Sequence, residues 1–142
     1  FRKSDVVRVD WYGRGPHECV CDRKRSALVG RYSAAPETLA TVYTRPQENG
    51  QRCDLRFLDL VAGDGTVTRI SSPRLFGFTL RSCSVETLAA ARHIDDVRDE
   101  GFWELILDAA QRGVGGDDSW GANVLPQYRL QPGSGTATFS FQ

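Results

Sequence analysis

The chain has 142 residues, 40% of them apolar and 25% charged, and its 18 basic and 18 acidic side chains leave no net charge. That length and composition suit one soluble globular domain. The zero balance supplies no general field for nucleic acid or an anionic membrane surface, and no apolar run approaches the ~20 residues of a membrane helix.

The opening FRKSDVVRVDWYG carries charges and then alternation, with no signal-peptide core. The chain contains no Met, so it reads as a fragment or a processed product. Val7, Val9 and Trp11 alternate with Arg8 and Asp10, which predicts a strand over about 5 to 13. Tyr12 to Arg31 is long, charged and punctuated by Gly and Pro, and a loop of this length is expected to have a function or to be disordered. A second alternating run, Cys53 to Phe57, leads on to Leu60 and Val61. Ala62-Gly63-Asp64-Gly65 then signals a turn, with Thr66 to Ile70 as the returning strand. Phe76, Phe78 and Leu80 line one face of a further strand.

Ser84 is placed to cap one short helix over Ser84 to Arg92, through Thr87, Leu88 and three alanines. Phe102 to Leu107 reads as a buried strand, and Thr136 to Phe141 alternates as a half-buried one. Arg112 to Asn123 holds four glycines, two aspartates and Trp120, and is a second long loop. These elements predict an all-β fold, an antiparallel sandwich with one short helix.

Chemistry-bearing residues are few. Four cysteines, Cys19, Cys21, Cys53 and Cys83, allow three pairings, and the sequence does not choose among them. Cys19-Val20-Cys21 lacks zinc-site spacing and a second pair, so reduced thiols and no metal are expected. Asp117 and Asp118 resemble a carboxylate pair, but adjacent residues of an extended chain point opposite ways. Short aspartates in a Gly-rich loop are turn builders that bond nearby backbone N–H groups. Gly115-Gly116 has no following Lys-Ser/Thr and no helix, so it supplies positive-φ backbone rather than a phosphate cradle. His17 and Glu18 follow Pro16 in a turn-rich loop, and Glu48 and Asn49 precede Gly50, with Asn49-Gly50 suited to a hairpin bend. For all four a turn role is expected; any functional part would be to brace the loop that carries Trp120.

Four blocks, in chain order, resemble the small-chain domain at the end of β-galactosidases of glycoside hydrolase family 2. They are Trp11-Tyr12-Gly13-Arg14-Gly15-Pro16-His17-Glu18 with Asp22-Arg23, and Tyr43-Thr44-Arg45-Pro46-Gln47-Glu48-Asn49-Gly50 with Arg52. Phe76-Gly77-Phe78 with Leu88 to His93 is the third. Gly113-Val114-Gly115-Gly116-Asp117-Asp118-Ser119-Trp120-Gly121, followed by Pro126, Tyr128 and Leu130, is the fourth. The resemblance implies that residues 1–142 are the distal half of a supersandwich, without the upstream (β/α)₈ barrel that carries the acid/base and nucleophile glutamates.

The resemblance also implies a role for Trp120 in contacting a galactoside. The physics agrees, because a galactose ring has a C–H face that an indole plane covers. The resemblance further implies no catalytic residue and no cofactor in this chain, the family's Mg²⁺ and Na⁺ binding elsewhere. The implied partners are the rest of a β-galactosidase chain, or a large subunit, and a β-galactoside such as lactose. The implied setting is the cytoplasm. The alternative is a non-catalytic sugar-binding or assembly module that kept the scaffold. A mutarotase-like activity finds no matched His/Glu site. One departure stands out: where the family has Asn-Tyr, this chain has Cys19-Val20-Cys21, losing a polar and an aromatic contact.

Overall fold

The computed structural model describes residues 1–116, 118 and 120–142. Its strands are β1 (Arg8–Gly15), β2 (Leu28–Ala34), β3 (Arg52–Val61), β4 (Val67–Arg81), β5 (Glu104–Asp108) and β6 (Ser140–Phe141). They form one antiparallel sheet of order β2-β1-β3-β4-β5, with β6 also pairing β4. One helix, α1 (Val85–Ala90), and four 3₁₀ turns complete the described elements. The all-β antiparallel expectation with one short helix therefore holds.

Alternation makes β1 two-faced. Val9 and Trp11 are buried while Arg8, Asp10 and Tyr12 are not. Its inward residues join Leu55, Leu58 and Leu60 of β3 with Ile70, Phe76, Phe78 and Leu80 of β4 in one apolar cluster. Trp11 sits at its centre, edge-on to Phe78 at 5.9 Å and tilted against Tyr32 at 5.3 Å, and its indole N–H donates to the Arg14 carbonyl at 2.9 Å.

The predicted β3–β4 hairpin is present. Ala62 and Thr66 close it, Gly65 adopts φ +87°, and Asp64 accepts from the Thr66 amide at 2.9 Å. The two strands predicted after this turn are one. Phe57 pairs with Ser71 and Leu55 with Phe76, so β3 advances two residues (57 to 55) while β4 advances five (71 to 76). The surplus includes Pro73, which has no N–H to give a ladder, and Pro73, Arg74 and Leu75 are exposed.

Other expectations are corrected. The Tyr12 to Arg31 loop is shorter than read, since its ends belong to β1 and β2. β2 went unread because its outer residues leave no apolar stripe; it forms on the hydrogen bonds that β1 offers. The helix stops at Ala90, with Ala91 extended, although Ser84 caps it as predicted by accepting from Thr87 N at 3.2 Å. β5 is a half-buried strand on the sheet edge rather than a buried one. Of the alternating Thr136 to Phe141, only Ser140 and Phe141 pair, opposite Ser71 and Ile70.

Candidate functional site

The glycine-rich loop is pinned at its neck. Arg112 donates to Asn123 Oδ1 at 2.9 Å, the Gly113 amide to the Tyr128 carbonyl at 2.8 Å, and the Gly115 amide to Asp22 Oδ2 at 2.8 Å. Gly115 and Gly116 adopt φ +74° and +100°, the left-handed region that side chains resist. Asp118 Oδ1 accepts from the amides of Trp120 (2.8 Å) and Ala122 (3.0 Å), and these bonds hold its carboxyl below the usual range. Asp118 is thus a turn builder; Asp117 lies outside the described residues. The tight turn leaves the Trp120 indole 93% exposed, not sealed inside the sheet.

The first two sequence blocks converge elsewhere, on a cleft of about 280 Å³ that Glu18, Tyr43, Glu48, Asn49, Gln51 and Arg81 help to line. Glu18 accepts from the Tyr43 hydroxyl at 2.6 Å and from the Gly50 amide, and the first bond pushes the Tyr43 phenol up. Asn49 Oδ1 accepts from Thr41 N at 3.0 Å, and its Nδ2 donates to the Gln47 carbonyl at 2.9 Å. Asn49 thus ties the 41–49 segment together, but that segment holds no strand, and no turn or hairpin forms at Asn49-Gly50. At Gly50, with φ +80°, a Cβ would stand 2.8 Å from the Leu39 carbonyl. Glu48 is exposed at the rim. His17 turns away to Ser26, 3.2 Å from its hydroxyl, so His17 and Glu18 serve different neighbours. Val114 connects this cleft to the base of the Trp120 loop.

Arg52, which follows the second sequence block, organises this region. It is 4% exposed and donates to the carbonyls of Pro16 (3.1 Å), Leu39 (2.9 Å) and Gly50 (2.7 Å). Its guanidinium lies 5.7 Å from the Trp11 ring centroid. Asp22 supports the glycine loop across 93 residues of sequence, a contact that no local pattern signals. Arg81, also buried, stands 3.3 Å from Glu104 Oε2, an ion pair by distance that lacks hydrogen-bond alignment.

A second charged centre fixes the 16–27 connection. Asp54 accepts from Arg14 Nε at 2.6 Å and from Lys24 Nζ at 3.1 Å, while Arg14 also donates to the Lys24 and Ala27 carbonyls. Burial pushes the Asp54 carboxyl up, but the bonds from Arg14 and Lys24 outweigh it and the net shift is down from 3.8. A depressed folded value stabilises fully above the unfolded value and is lost as pH falls through the folded one. Asp54→Asn suits this test because Asn also tolerates the φ of +56° found there. The variant is expected to be less stable than the parent at pH 7 by about 1–2 kcal/mol. Urea denaturation should show that gap closing as pH drops below about 4. A gap independent of pH would contradict the assignment.

All four cysteines are free thiols. Cys19 and Cys53 lie 3.1 Å apart sulfur to sulfur, and the Cys21 thiol donates to the Gln111 carbonyl at 3.3 Å. Cys19 and Val20 are buried, so the departing loop is well packed. Among the described residues no group of three His, Cys, Asp or Glu could hold a metal ion, and no helix is long and apolar enough to cross a membrane.

Comparison with known proteins gives a consistent family. The family model described as "Beta galactosidase small chain" matches residues 2–142. A β-galactosidase of Aeromonas hydrophila subsp. hydrophila is 45% identical over 125 residues, which is 88% of this chain and 12% of that protein. One from Vibrio cholerae is 43% identical over 122 residues, 86% of this chain and 11% of its own length. One from Arthrobacter sp. is 34% identical over 134 residues, 91% and 13%. The chain thus spans about 12% of the length of the curated relative it matches in Aeromonas.

Proposed function

Since the chain belongs to the β-galactosidase small-chain family, we propose that it is the C-terminal part of a retaining β-galactosidase and completes the galactoside-binding cleft. The observation that carries this reading is the exposed Trp120 indole on a loop anchored at its neck by Asp22 and Asn123. A rigid base with a free aromatic plane suits the apolar face of a galactose held by another domain. Asp118 holds the turn, and Glu18, Glu48 and Asn49 shape the neighbouring cleft. The two glutamates that such hydrolysis needs, about 5–5.5 Å apart across the scissile bond, belong to the upstream barrel in this proposal. The Mg²⁺ and Na⁺ of the family belong there too. The substrate class is terminal β-D-galactosides such as lactose, and free thiols suit the cytoplasm.

Leu28, Val42 and Leu130 are each exposed, and packing on the rest of the enzyme would cover such side chains. The second reading is a sugar-binding or assembly module. The two are separated by assaying the isolated 142 residues and the full-length protein for hydrolysis of a chromogenic β-galactoside. The isolated chain is expected to show no turnover and the full-length protein to show it. Turnover by the isolated chain would place carboxylate chemistry here. An inactive full-length protein that still binds galactose would favour the module.

A further inference from the structure

We propose that Cys19 and Cys53 form a modification site: a dithiol that small-molecule disulfides oxidise reversibly to a Cys19–Cys53 disulfide, clamping the 16–27 connection to the start of β3. The sulfurs are 3.1 Å apart, and a disulfide needs about 2.0 Å, so closure asks for about 1 Å of movement. The Cys53 amide also donates to Cys19 Sγ at 3.3 Å, which aims the Cys19 sulfur at residue 53. Cys21 lines the same cavity as Cys53, but its thiol is bonded to the Gln111 carbonyl at 3.3 Å, and Cys83 is buried beyond β4. The pairing is therefore selective, although the sequence leaves three pairings open.

The pair has a way in. Cys53 is half-buried and lines a cavity of about 120 Å³ with Gln51, Asp54 and Asp108, whereas Cys19 lies beneath it, 1% exposed. The hydrogen bond from the Cys53 thiol holds Cys19 at about 7 and pushes Cys53 up, so the two sulfurs share a proton between them. In the first step the Cys53 thiol passes its proton to the Cys19 thiolate 3.1 Å away and its sulfur attacks one sulfur of the external disulfide RSSR, the departing RS⁻ then taking that proton from Cys19. This forms the Cys53–SR bond. Cys19 thiolate then attacks Cys53 Sγ and expels the second RS⁻, which is also protonated. Two protein thiols are oxidised, one RSSR is reduced to two RSH, and a thiol in excess reverses both steps.

Disulfide closure would cross-link residues 34 apart, beside the Glu18–Gly50 and Arg52–Pro16 bonds that shape the cleft. Its effect on the fold is a loss of unfolded-chain freedom rather than a new native shape.

The test treats the full-length protein with oxidised glutathione, quenches in acid, alkylates under denaturing conditions and maps tryptic peptides. The expected product joins the peptide Gly15–Arg23 to Cys53–Arg56, two hydrogens lighter than the reduced pair. Fragmentation should place the bridge on Cys19 rather than Cys21. A variant with Cys21→Ser and Cys83→Ser should give the same product, and Cys19→Ser should give only a glutathione adduct on Cys53. A protein whose Cys19 and Cys53 both stay alkylatable would overturn the proposal. So would a Cys21–Cys53 bridge, or a stable adduct on Cys53 in the parent. The outcome does not depend on the galactosidase reading.

Discussion

Replacing Trp120 by Ala in the full-length protein is expected to lower kcat/KM for a β-galactoside by roughly 10- to 100-fold while leaving stability nearly unchanged. One face of an indole presents about 100 Å² of apolar surface. Covering it at ~25 cal/mol/Å² stabilises a bound sugar by about 2.5 kcal/mol, and each 1.4 kcal/mol is tenfold. The native fold gains little from the ring, which is 93% exposed, so melting should shift by no more than about 0.5 kcal/mol. Trp120→Phe keeps part of the plane and should recover most of the loss. If the indole binds ground and transition states alike, KM rises and kcat holds; a loss confined to kcat would show contact made only in the transition state. A kcat/KM within twofold of the parent, at unchanged stability, would remove the ligand role from this chain.

Arg52→Ala should be the most destabilising single change near the cleft, costing about 3–5 kcal/mol. The side chain is 4% exposed and its N–H groups satisfy three carbonyls, those of Pro16, Leu39 and Gly50. Its loss strands these acceptors in a place water reaches poorly and leaves a hole against Trp11. Burial already lowers the guanidinium pKa from 12.5, a sign that the charge is held by its bonds rather than by solvent. Lysine offers no planar fork to reach carbonyls in three directions, so Arg52→Lys should rescue little. Hydrogen exchange is the direct readout: amides over residues 38–52 should open in Arg52→Ala before those of the β1–β3 ladder. Arg56→Ala, exposed on the same strand, should change stability by less than about 0.5 kcal/mol. Equal protection in parent and Arg52→Ala would mean that the guanidinium is not the organising group.

Much of the fold was legible because side-chain direction in a strand is a local, period-two property. Val9 and Trp11, the Cys53 to Val61 run and the Gly-Asp-Gly turn each announced themselves within a few residues, and each is where it was expected. β2 stayed hidden because Leu28 to Ala34 packs no continuous apolar face and borrows its order from β1. Thr136 to Phe141 shows the reverse: the alternation is clear, yet only two residues find a partner opposite Ile70 and Ser71. At the candidate site, glycine content and the short Asp side chains foretold a tight turn that presents Trp120, and Asp118 makes it. The roles of Asp22 and Arg52 were not legible because they lie in backbone groups far along the chain, and nothing in their own neighbourhood marks them.

By itself, the order of residues determined the all-β character, the main hairpin, the capped helix and the family likeness, since each rests on short-range pattern or on motifs. Tertiary structure alone decided which distant groups meet: Cys19 with Cys53, Asp22 with the Gly115 amide, Asp54 with Arg14 and Lys24. Those meetings depend on strand register and loop path, where a one-residue slip would turn every side chain to the other face. Local pattern says which way a side chain points; only the assembled sheet says what stands opposite it.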